Sequence, residues 1–193
     1  MTFSIAELLC EDTLTVARAL LGRVLVHEST DGRTSGRIVE TEAYVQGDPA
    51  SHSTRGRTRR NRSMFERAGV IYVYKVHMQH CINLVTGPEE QGDAVLIRAL
   101  EPLEGLELMR HRRGDKPDHQ LCAGPGKLTQ AMGIDRSHDG LHVLTGPIFI
   151  QEGEPIADEA VAADGRIGIR EGLDLPWRFC VRSSRSLSRR PRA

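Results

Sequence analysis

The sequence predicts a mixed α/β (α+β) fold in which a largely antiparallel sheet is flanked by helices. The chain of 193 residues is long enough for one domain with a full core, and no segment has the length or composition of a linker. Five segments have the periodicity and punctuation of β-strands. Segments with helical periodicity and capping residues precede and follow them. We therefore expect one compact domain over residues 1–193.

The first predicted elements are two helices. Ser4 and Glu7 have the spacing of a capping box and predict a short helix. Asp12 precedes a second helical pattern that ends at Gly22. The apolar positions of this pattern are Leu14, Ala17, Leu20 and Leu21.

The predicted strands follow. They cover residues 23–27, 36–44, 71–76, 82–86 and 94–100. Asp31 and Gly32 lie between the first two and predict a hairpin, with a loop of more than two residues. Later short strands are predicted at residues 143–145, 148–150, 166–169 and 177–181.

Two further helices are predicted after the fifth strand. Pro102 is placed where a helix can begin, and Gly114 lies just beyond its predicted end. The apolar face of this helix would carry Leu103, Leu106 and Met109. Another helix is expected to begin near Pro125 and to carry Leu128, Ala131 and Met132.

The composition is typical of a globular cytoplasmic protein. Hydrophobic residues make up 39% and charged residues 27%, and no apolar run is long enough to span a membrane. The acidic N-terminal segment lacks the pattern of a secretory signal. The four cysteines have no CxxC spacing, which favours reduced thiols in the cytosol over a disulfide framework.

The formal net charge is +0, but the positive charge is clustered, and clustering is what matters for binding a polyanion. One cluster is a short internal segment containing Arg55, Arg57, Arg59, Arg60 and Arg62. Arginine side chains suit phosphates, so we expect these five to contact a nucleic acid backbone. The C-terminal residues 183–193 are also rich in arginine, and their composition predicts a flexible tail.

The segment GRIVETEAY, residues 36–44, carries the clearest chemical signal. Alternation along a strand places Glu40 and Glu42 on the same face as Ile38 and Tyr44. Both glutamates on a solvated face would be the ordinary alternative. The apolar neighbours favour burial instead, which raises the pKa of a carboxyl group and suits it to act as a base near neutral pH.

Several blocks of the chain, taken together and in order, resemble the alkyladenine (3-methyladenine) DNA glycosylases of the human-enzyme type. They include GRIVETEAY, IYVYKVH, HCINLVTG, AVLIRALEPLEGLELMR, LCAGPGKLTQAMGID and RIGIREGLDLPWRF. The resemblance covers nearly the whole chain and identifies it as a bacterial member. It implies a single mixed α/β domain with a curved antiparallel sheet, in agreement with the strand pattern.

The resemblance also implies a mechanism. Glu42 would deprotonate the water that attacks the anomeric carbon of the sugar, and Arg98 would help to hold that water and Glu42. Independently, cleavage of an N-glycosidic bond develops positive charge on the sugar, which a carboxylate at that face stabilises. No lysine lies in these motifs, so no covalent imine or strand-cutting lyase step is implied.

The resemblance further implies an aromatic base pocket. Tyr44, His52 and Tyr74 would hold an extruded purine, and Asn83 would crowd the 2-amino group of normal guanine. Stacking contributes about 1–3 kcal/mol per base and tolerates many purine lesions. Tyr72, one strand alternation from Tyr74, is interpreted as part of the aromatic core.

The chain departs from the family pattern at the predicted hairpin tip. The family has a tyrosine there that fills the gap left by the extruded nucleotide, whereas this chain has His77 and Met78 and is one residue shorter. Either side chain can serve as the wedge. His77, His80 and Cys81 also resemble a metal site, but alternation separates them and no fourth ligand is near, so no metal is expected.

Two other motifs do not carry the chemistry that they suggest. AGPGKLT resembles a phosphate loop, but Leu121 and Leu128 occupy positions that require glycine and a hydroxyl. A DNA phosphate held near Gly124, Gly126 and Lys127 is the more modest expectation. The glutamate pair also suggests a polysaccharide hydrolase, but two residues of one strand do not flank a bond from both sides. Glu40 is therefore interpreted as a supporting residue.

The sequence thus predicts a monofunctional DNA glycosylase that hydrolyses alkylated or deaminated purines out of damaged double-stranded DNA, without a cofactor. We expect a monomer that does not bind membranes and acts on the nucleoid in the cytoplasm. A catalytically silent DNA-damage binder and an RNA-binding module remain alternatives, because both would use the same basic surface. The order of preference among 3-methyladenine, 7-methylguanine, hypoxanthine and ethenoadenine is left open.

Overall fold

The structure, a computed structural model, describes residues 4–192. Its centre is an eight-stranded sheet in which the neighbouring strands are antiparallel. The strands are β1 (Val24–Ser29), β2 (Gly32–Tyr44), β3 (Ile71–Val76), β4 (Gln79–Thr86), β5 (Asp93–Glu104), β6 (Ile148–Gln151), β7 (Val161–Asp164) and β8 (Arg178–Val181). The main path runs β3-β4-β5-β2-β1-β6, and β8 joins β2 to β7. The predicted mixed fold of one compact domain with a curved antiparallel sheet is confirmed.

The long strand β2 curves because it changes partners along its length. One of its edges pairs with β5, while the other pairs first with β1 and then, from Glu40 to Glu42, with β8. The register to β5 shifts between Ile38 and Glu40 and again between Glu40 and Thr41. Such bulges bend a strand and increase its twist. The register shifts lie at the two glutamates, whose side chains contact Arg98 of β5 and Arg178 of β8.

Five α-helices accompany the sheet: α1 (Ile5–Leu8), α2 (Thr13–Ala19), α3 (Leu106–Arg113), α4 (Asp118–Leu121) and α5 (Pro125–Met132). Ser4 and Glu7 form the predicted capping box of α1, and Asp12 caps α2 as predicted. Helix α5 begins at Pro125 as predicted, and its apolar side packs against β4 and β5. Helix α2 packs against β2 and β5. The main core lies between these helices and the sheet.

Four local predictions were wrong. The first hairpin has a two-residue loop, because Ser29 and Gly32 are paired, and the chain therefore turns more tightly than the sequence suggested. Helix α3 begins at Leu106, since β5 continues through Pro102 to Glu104 along the edge of β2. Residues 143–145 form a turn, and residues 166–169 have no strand pairing. The amide of Val143 donates to Gly69, just before β3, and the chain turns there. The amide of Ile167 binds the side chain of Glu42 instead of a strand. The strand β7, which was not predicted, pairs with β8.

The residues predicted as a flexible tail, 183–193, are described up to residue 192. Ser184 and Ser186 are buried there, and Leu187 packs against the main core. Beyond them Ser188 forms hydrogen bonds with Glu40. This part of the chain therefore lies against the sheet.

Candidate active site

A cavity of about 540 Å³ opens at one end of the sheet. Strands β2 to β5 provide one side of it, and the loop after β2 and residues 167–171 provide the other. Six of the residues predicted for the site line this cavity: Tyr44, His52, Arg55, Tyr74, Asn83 and Arg98. The structure therefore brings together residues that are up to 54 positions apart in the sequence.

Glu42 lies behind the cavity wall with its side chain fully buried. Its Oε1 atom accepts a hydrogen bond from the backbone amide of Ile167 at 2.7 Å. Its Oε2 atom accepts from Nη1 of Arg98 at 3.0 Å and from the hydroxyl of Tyr44 at 2.8 Å. Three donors thus fix the carboxylate in one orientation, which is the preorganisation that a general base requires.

The pKa of Glu42 is raised above its ordinary value, and burial is the main cause. The charge of Arg98 and the hydrogen bond from Ile167 act in the opposite direction and favour the carboxylate. These two interactions offset part of the cost of burying the charged carboxylate. A base with such a pKa can take a proton from water and release it again.

Aromatic side chains form the walls of the cavity. The rings of His52 and Tyr74 touch, with centroids 4.5 Å apart, and Tyr72 lies 5.4 Å from Tyr74. Nδ1 of His52 is 2.9 Å from the hydroxyl of Tyr72. Burial lowers the pKa of His52 below its ordinary value, which favours the neutral imidazole. Tyr72 was interpreted as core alone; it is buried, but it also lines the cavity and orients His52.

Asn83 has a fixed position in the cavity floor. It is buried, and its amide nitrogen donates a hydrogen bond to the carbonyl oxygen of Tyr72 at 2.9 Å. The side chain therefore cannot swing away without leaving a buried donor unsatisfied. An obstacle held in this way can distinguish bases by shape.

The predicted wedge residues form the loop of a hairpin. Val76 pairs with Gln79, so His77 and Met78 alone connect β3 to β4. Met78 is 84% exposed, and Val76 beside it is 42% exposed and lines the cavity. His77 has a φ of 52°, a conformation that glycine adopts more readily. An exposed apolar tip next to the cavity is well placed to enter a duplex.

The five clustered arginines have different surroundings. Arg55 lines the cavity, and Arg59 and Arg62 are exposed without an ion pair among residues 4–192. Arg57 is engaged in ion pairs with Glu66 and Glu90, and Arg60 donates to a backbone carbonyl of β3. Lys127 is exposed in the first turn of α5. Only part of the predicted cluster is thus free to receive phosphates.

The sequence interpretation missed a buried cation beside the site. Arg166 and Asp48 form an ion pair in which both side chains have 0% exposure. The guanidinium of Arg166 also lies between the rings of Tyr44, at 4.7 Å, and Trp177, at 5.1 Å. The next residue, Ile167, provides the amide that binds Glu42. The block RIGI was noted, but no local signal predicts a partner 118 residues away.

Glu40 lies on the same side of β2 as Glu42 and is also fully buried. Arg178 of β8 donates a hydrogen bond to its Oε1 atom at 2.8 Å. Nε of Arg98 is 3.6 Å from the same oxygen. Arg98 therefore lies between the two glutamates, and within residues 4–192 it hydrogen-bonds to Glu42 but not to Glu40. The solvated face considered for this strand is absent from its buried segment, residues 38–43.

Three other possibilities raised by the sequence are a metal site, a membrane span and a disulfide framework. Within residues 4–192, no three or more histidine, cysteine, aspartate or glutamate side chains are grouped closely enough to hold a metal ion. In the same residues no helix combines the length and apolar character needed to cross a bilayer. All four cysteines have free thiols.

Comparison with known proteins agrees with this geometry. A family model described as methylpurine-DNA glycosylase matches residues 7–185. A protein of Methanoculleus marisnigri is 50% identical over 183 residues, which are 93% of this chain and 95% of that protein. A protein of Carboxydothermus hydrogenoformans is 46% identical, with the same coverage of 93% and 95%. One of Agrobacterium fabrum is 45% identical, covering 93% of this chain and 89% of its own. Their names assign them, provisionally, to the 3-methyladenine DNA glycosylases.

Proposed function

The chain belongs to the methylpurine-DNA glycosylase family, and we propose that it excises 3-methyladenine and other alkylated or deaminated purines from duplex DNA. Enzymes of this family are monofunctional glycosylases, and hence hydrolases. The observation that carries the proposal is the buried Glu42, held by Arg98 and Tyr44 directly behind an aromatic cavity. Such a site combines a base for water with a surface for a planar ligand.

In the proposed reaction the damaged nucleotide leaves the stack and its base enters the cavity. Extrusion costs a few kcal/mol and is easiest for damaged or mispaired bases. The rings of Tyr44, His52 and Tyr74 would contact the purine faces, and stacking contributes about 1–3 kcal/mol per base. Asn83 would exclude normal guanine by contact with its 2-amino group, a role supported by its fixed amide.

The chemical step breaks the bond between the sugar C1′ atom and the purine nitrogen, and the electron pair leaves with the base. As the bond breaks, positive charge develops on the sugar, and the carboxylate of Glu42 stabilises it. Glu42 takes a proton from a water molecule while the water oxygen bonds to C1′. Arg98 keeps Glu42 in place through its hydrogen bond of 3.0 Å. The products are free purine and an abasic site, and the step uses no metal or cofactor.

Residues around the cavity mouth would bind the DNA duplex. Exposed arginines of residues 55–62 and Lys127 would contact DNA phosphates around the cavity mouth. Met78 or His77 would fill the gap in the duplex. We further expect a cytoplasmic monomer that acts on the nucleoid.

The proposal can be tested by single-turnover excision on duplexes that carry one lesion each. Purified protein would be incubated with 3-methyladenine, 7-methylguanine, hypoxanthine or ethenoadenine duplexes, and abasic sites would be cleaved by alkali. We expect alkali-dependent cleavage at one or more lesions and none on an undamaged duplex. Strand breaks without alkali would contradict monofunctional hydrolysis. Lesion binding without any cleavage would indicate a damage-binding protein, and tighter binding of single-stranded RNA would indicate the RNA-binding alternative.

A further inference from the structure

The C-terminal segment of the chain, residues 184–192, contacts Arg178 of β8 through the carbonyl of Arg189 and contacts Glu40 through Ser188. We refer to it as the C-terminal strap. The amide of Ser188 donates a hydrogen bond to Oε2 of Glu40 at 2.7 Å, and its hydroxyl donates to Oε1 at 2.9 Å. Further along the strap, the amide of Arg192 donates to Asp164 at 3.0 Å. One residue of the strap thus supplies two donors to a fully buried carboxylate.

Arg98 stands between two carboxylates that compete for it. Its Nη1 atom donates to Glu42 at 3.0 Å, whereas its Nε atom is 3.6 Å from Glu40 and has no hydrogen-bond partner within residues 4–192. Glu40 accepts hydrogen bonds from Arg178 and from the two donors of Ser188. A buried carboxylate that loses donors recruits the nearest one that is free, because unsatisfied buried oxygens are costly. For Glu40 that donor is Nε of Arg98.

We propose that the C-terminal strap is a positioning element for the reaction. By donating hydrogen bonds to Glu40, the strap keeps Arg98 hydrogen-bonded to Glu42. The inference rests on the proposed role of Glu42 as general base. Without Ser188, Arg98 would move the short distance from 3.6 Å to hydrogen-bonding range of Glu40 and loosen its contact with Glu42. Glu42 would then lose attraction from a cation, and its carboxylate would become harder to form.

The other charged and titratable groups around the pair do not obscure this effect. The groups that also face Glu42 are Tyr44, Tyr74, Cys81 and Arg166. The groups around Glu40 are Arg178, Asp164 and Cys180. Burial raises the pKa of the tyrosines and of Cys81, and raises the pKa of Cys180 to about 11. The two tyrosines and the two cysteines therefore remain neutral in weakly acidic solution. His52, whose pKa is lowered by burial, also titrates in acid, so the part of the acidic limb that belongs to Glu42 is the part that Glu42→Gln removes.

The test is the pH profile of single-turnover excision for variants of one strap residue. Ser188→Ala removes the hydroxyl donor, and Ser188→Pro removes the amide donor as well. We expect the midpoint of the acidic limb to move to higher pH, by about half a unit for Ser188→Ala and roughly one unit for Ser188→Pro. The exposed Ser183, which precedes the strap, provides the matched control, and Ser183→Ala should leave the midpoint in place.

A rescue experiment separates this role from a merely structural one. Glu40→Gln introduced together with Ser188→Pro removes the charge that competes for Arg98. Because the charge of Glu40 also raises the pKa of Glu42 directly, the double variant is compared with Glu40→Gln alone. The rescue succeeds if these two midpoints coincide, since Ser188 then has no carboxylate to satisfy. Lower excision or a lower melting temperature with an unmoved midpoint in both Ser188 variants would overturn the proposal, as would a failed rescue. The proposed function is tested separately by the unmodified protein and Glu42→Gln. It is supported if the unmodified protein excises lesions and Glu42→Gln abolishes the decline of the rate at acidic pH, whatever the Ser188 variants show.

Discussion

Arg166 and Asp48 form an ion pair from which solvent is excluded, since both side chains have 0% exposure. Asp48 lies in the loop that carries His52, and Arg166 precedes the amide that binds Glu42. The pair therefore ties together the two segments that form one side of the cavity. Arg166 also contacts the ring of Tyr44 at 4.7 Å, so the pair supports a cavity wall as well as the fold.

Asp48→Asn should destabilise the protein substantially. The substitution leaves the guanidinium of Arg166 buried without a counter-charge, and breaking a buried pair from one side typically costs about 3–5 kcal/mol. The free energy of unfolding from urea titration, followed by circular dichroism, measures the effect. Asp158→Asn is the control, because Asp158 is 90% exposed in its ion pair with Arg18 and should change stability little. Equal losses in both variants would show that burial does not govern the Asp48 pair.

The pair also marks the limit of what the sequence predicts. Capping residues and strand periodicity act over a few residues, and they located α1, α2, α5 and most of the sheet. The ordered family motifs indicated which residues line the cavity, among them Tyr44, Tyr74 and Arg98. The segment around Arg166 was predicted as a strand because its apolar pattern fits one. Its actual course is set by contacts with Asp48, 118 residues earlier, and with Glu42, 125 residues earlier.

The same limit applies to the C-terminal residues and to β2. Composition alone predicts a flexible tail after residue 182, because Ser- and Arg-rich segments lack apolar side chains for a core. Ser188 is nevertheless bound to Glu40, a partner 148 residues away. The apolar neighbours of Glu40 and Glu42 favoured burial of both, which the structure confirms, but they did not predict that β8 pairs with β2 there. Neither contact has a signal in the local sequence.

Arg59 and Arg62 are expected to contact DNA phosphates, whereas Arg57 is occupied by Glu66 and Glu90. Changing both Arg59 and Arg62 to alanine should weaken binding of lesion-containing and undamaged duplex alike. It should also reduce the slope of log affinity against log salt by about one for each lost contact. Fluorescence anisotropy at several salt concentrations measures this slope. Arg57→Ala is the comparison and should alter it less; a slope unchanged in the double variant would assign these arginines to the surface alone.

Met78 is the better candidate for the wedge, because it is 84% exposed at the hairpin tip. Met78→Ala should impair excision from a well-paired duplex far more than from single-stranded DNA, where no gap has to be held open. His77→Gly removes the neighbouring side chain without strain, since glycine readily adopts the φ of 52° found there. Single-turnover rates of both variants on paired, mismatched and single-stranded lesions identify the wedge. Equal losses on all three substrates would place it elsewhere.

Glu42→Gln tests the centre of the proposed mechanism. Glutamine keeps the size of the side chain but cannot accept a proton from water or stabilise positive charge on the sugar. Excision should fall by roughly 10²–10⁴-fold from loss of the base, and further from loss of the charge, while lesion duplex still binds. Single-turnover kinetics and anisotropy with the same duplex measure the two quantities. Glu40→Gln should cost far less, because Glu40 supports Glu42 and Arg98 and is not the proposed base.

The excision rate should depend on pH through the ionisation of Glu42. Glu42 must be ionised to accept a proton, so excision should decline as the pH falls through its pKa. Burial raises that pKa above the ordinary glutamate value of 4.5, and the decline should therefore begin at a higher pH than for an exposed glutamate. In Glu42→Gln the residual rate should lose this limb, because the titrating group has been removed. If Glu42→Gln retains near-normal excision, or still loses activity as the pH falls, another residue is the base. An inactive Glu40→Gln would then identify Glu40 as that base.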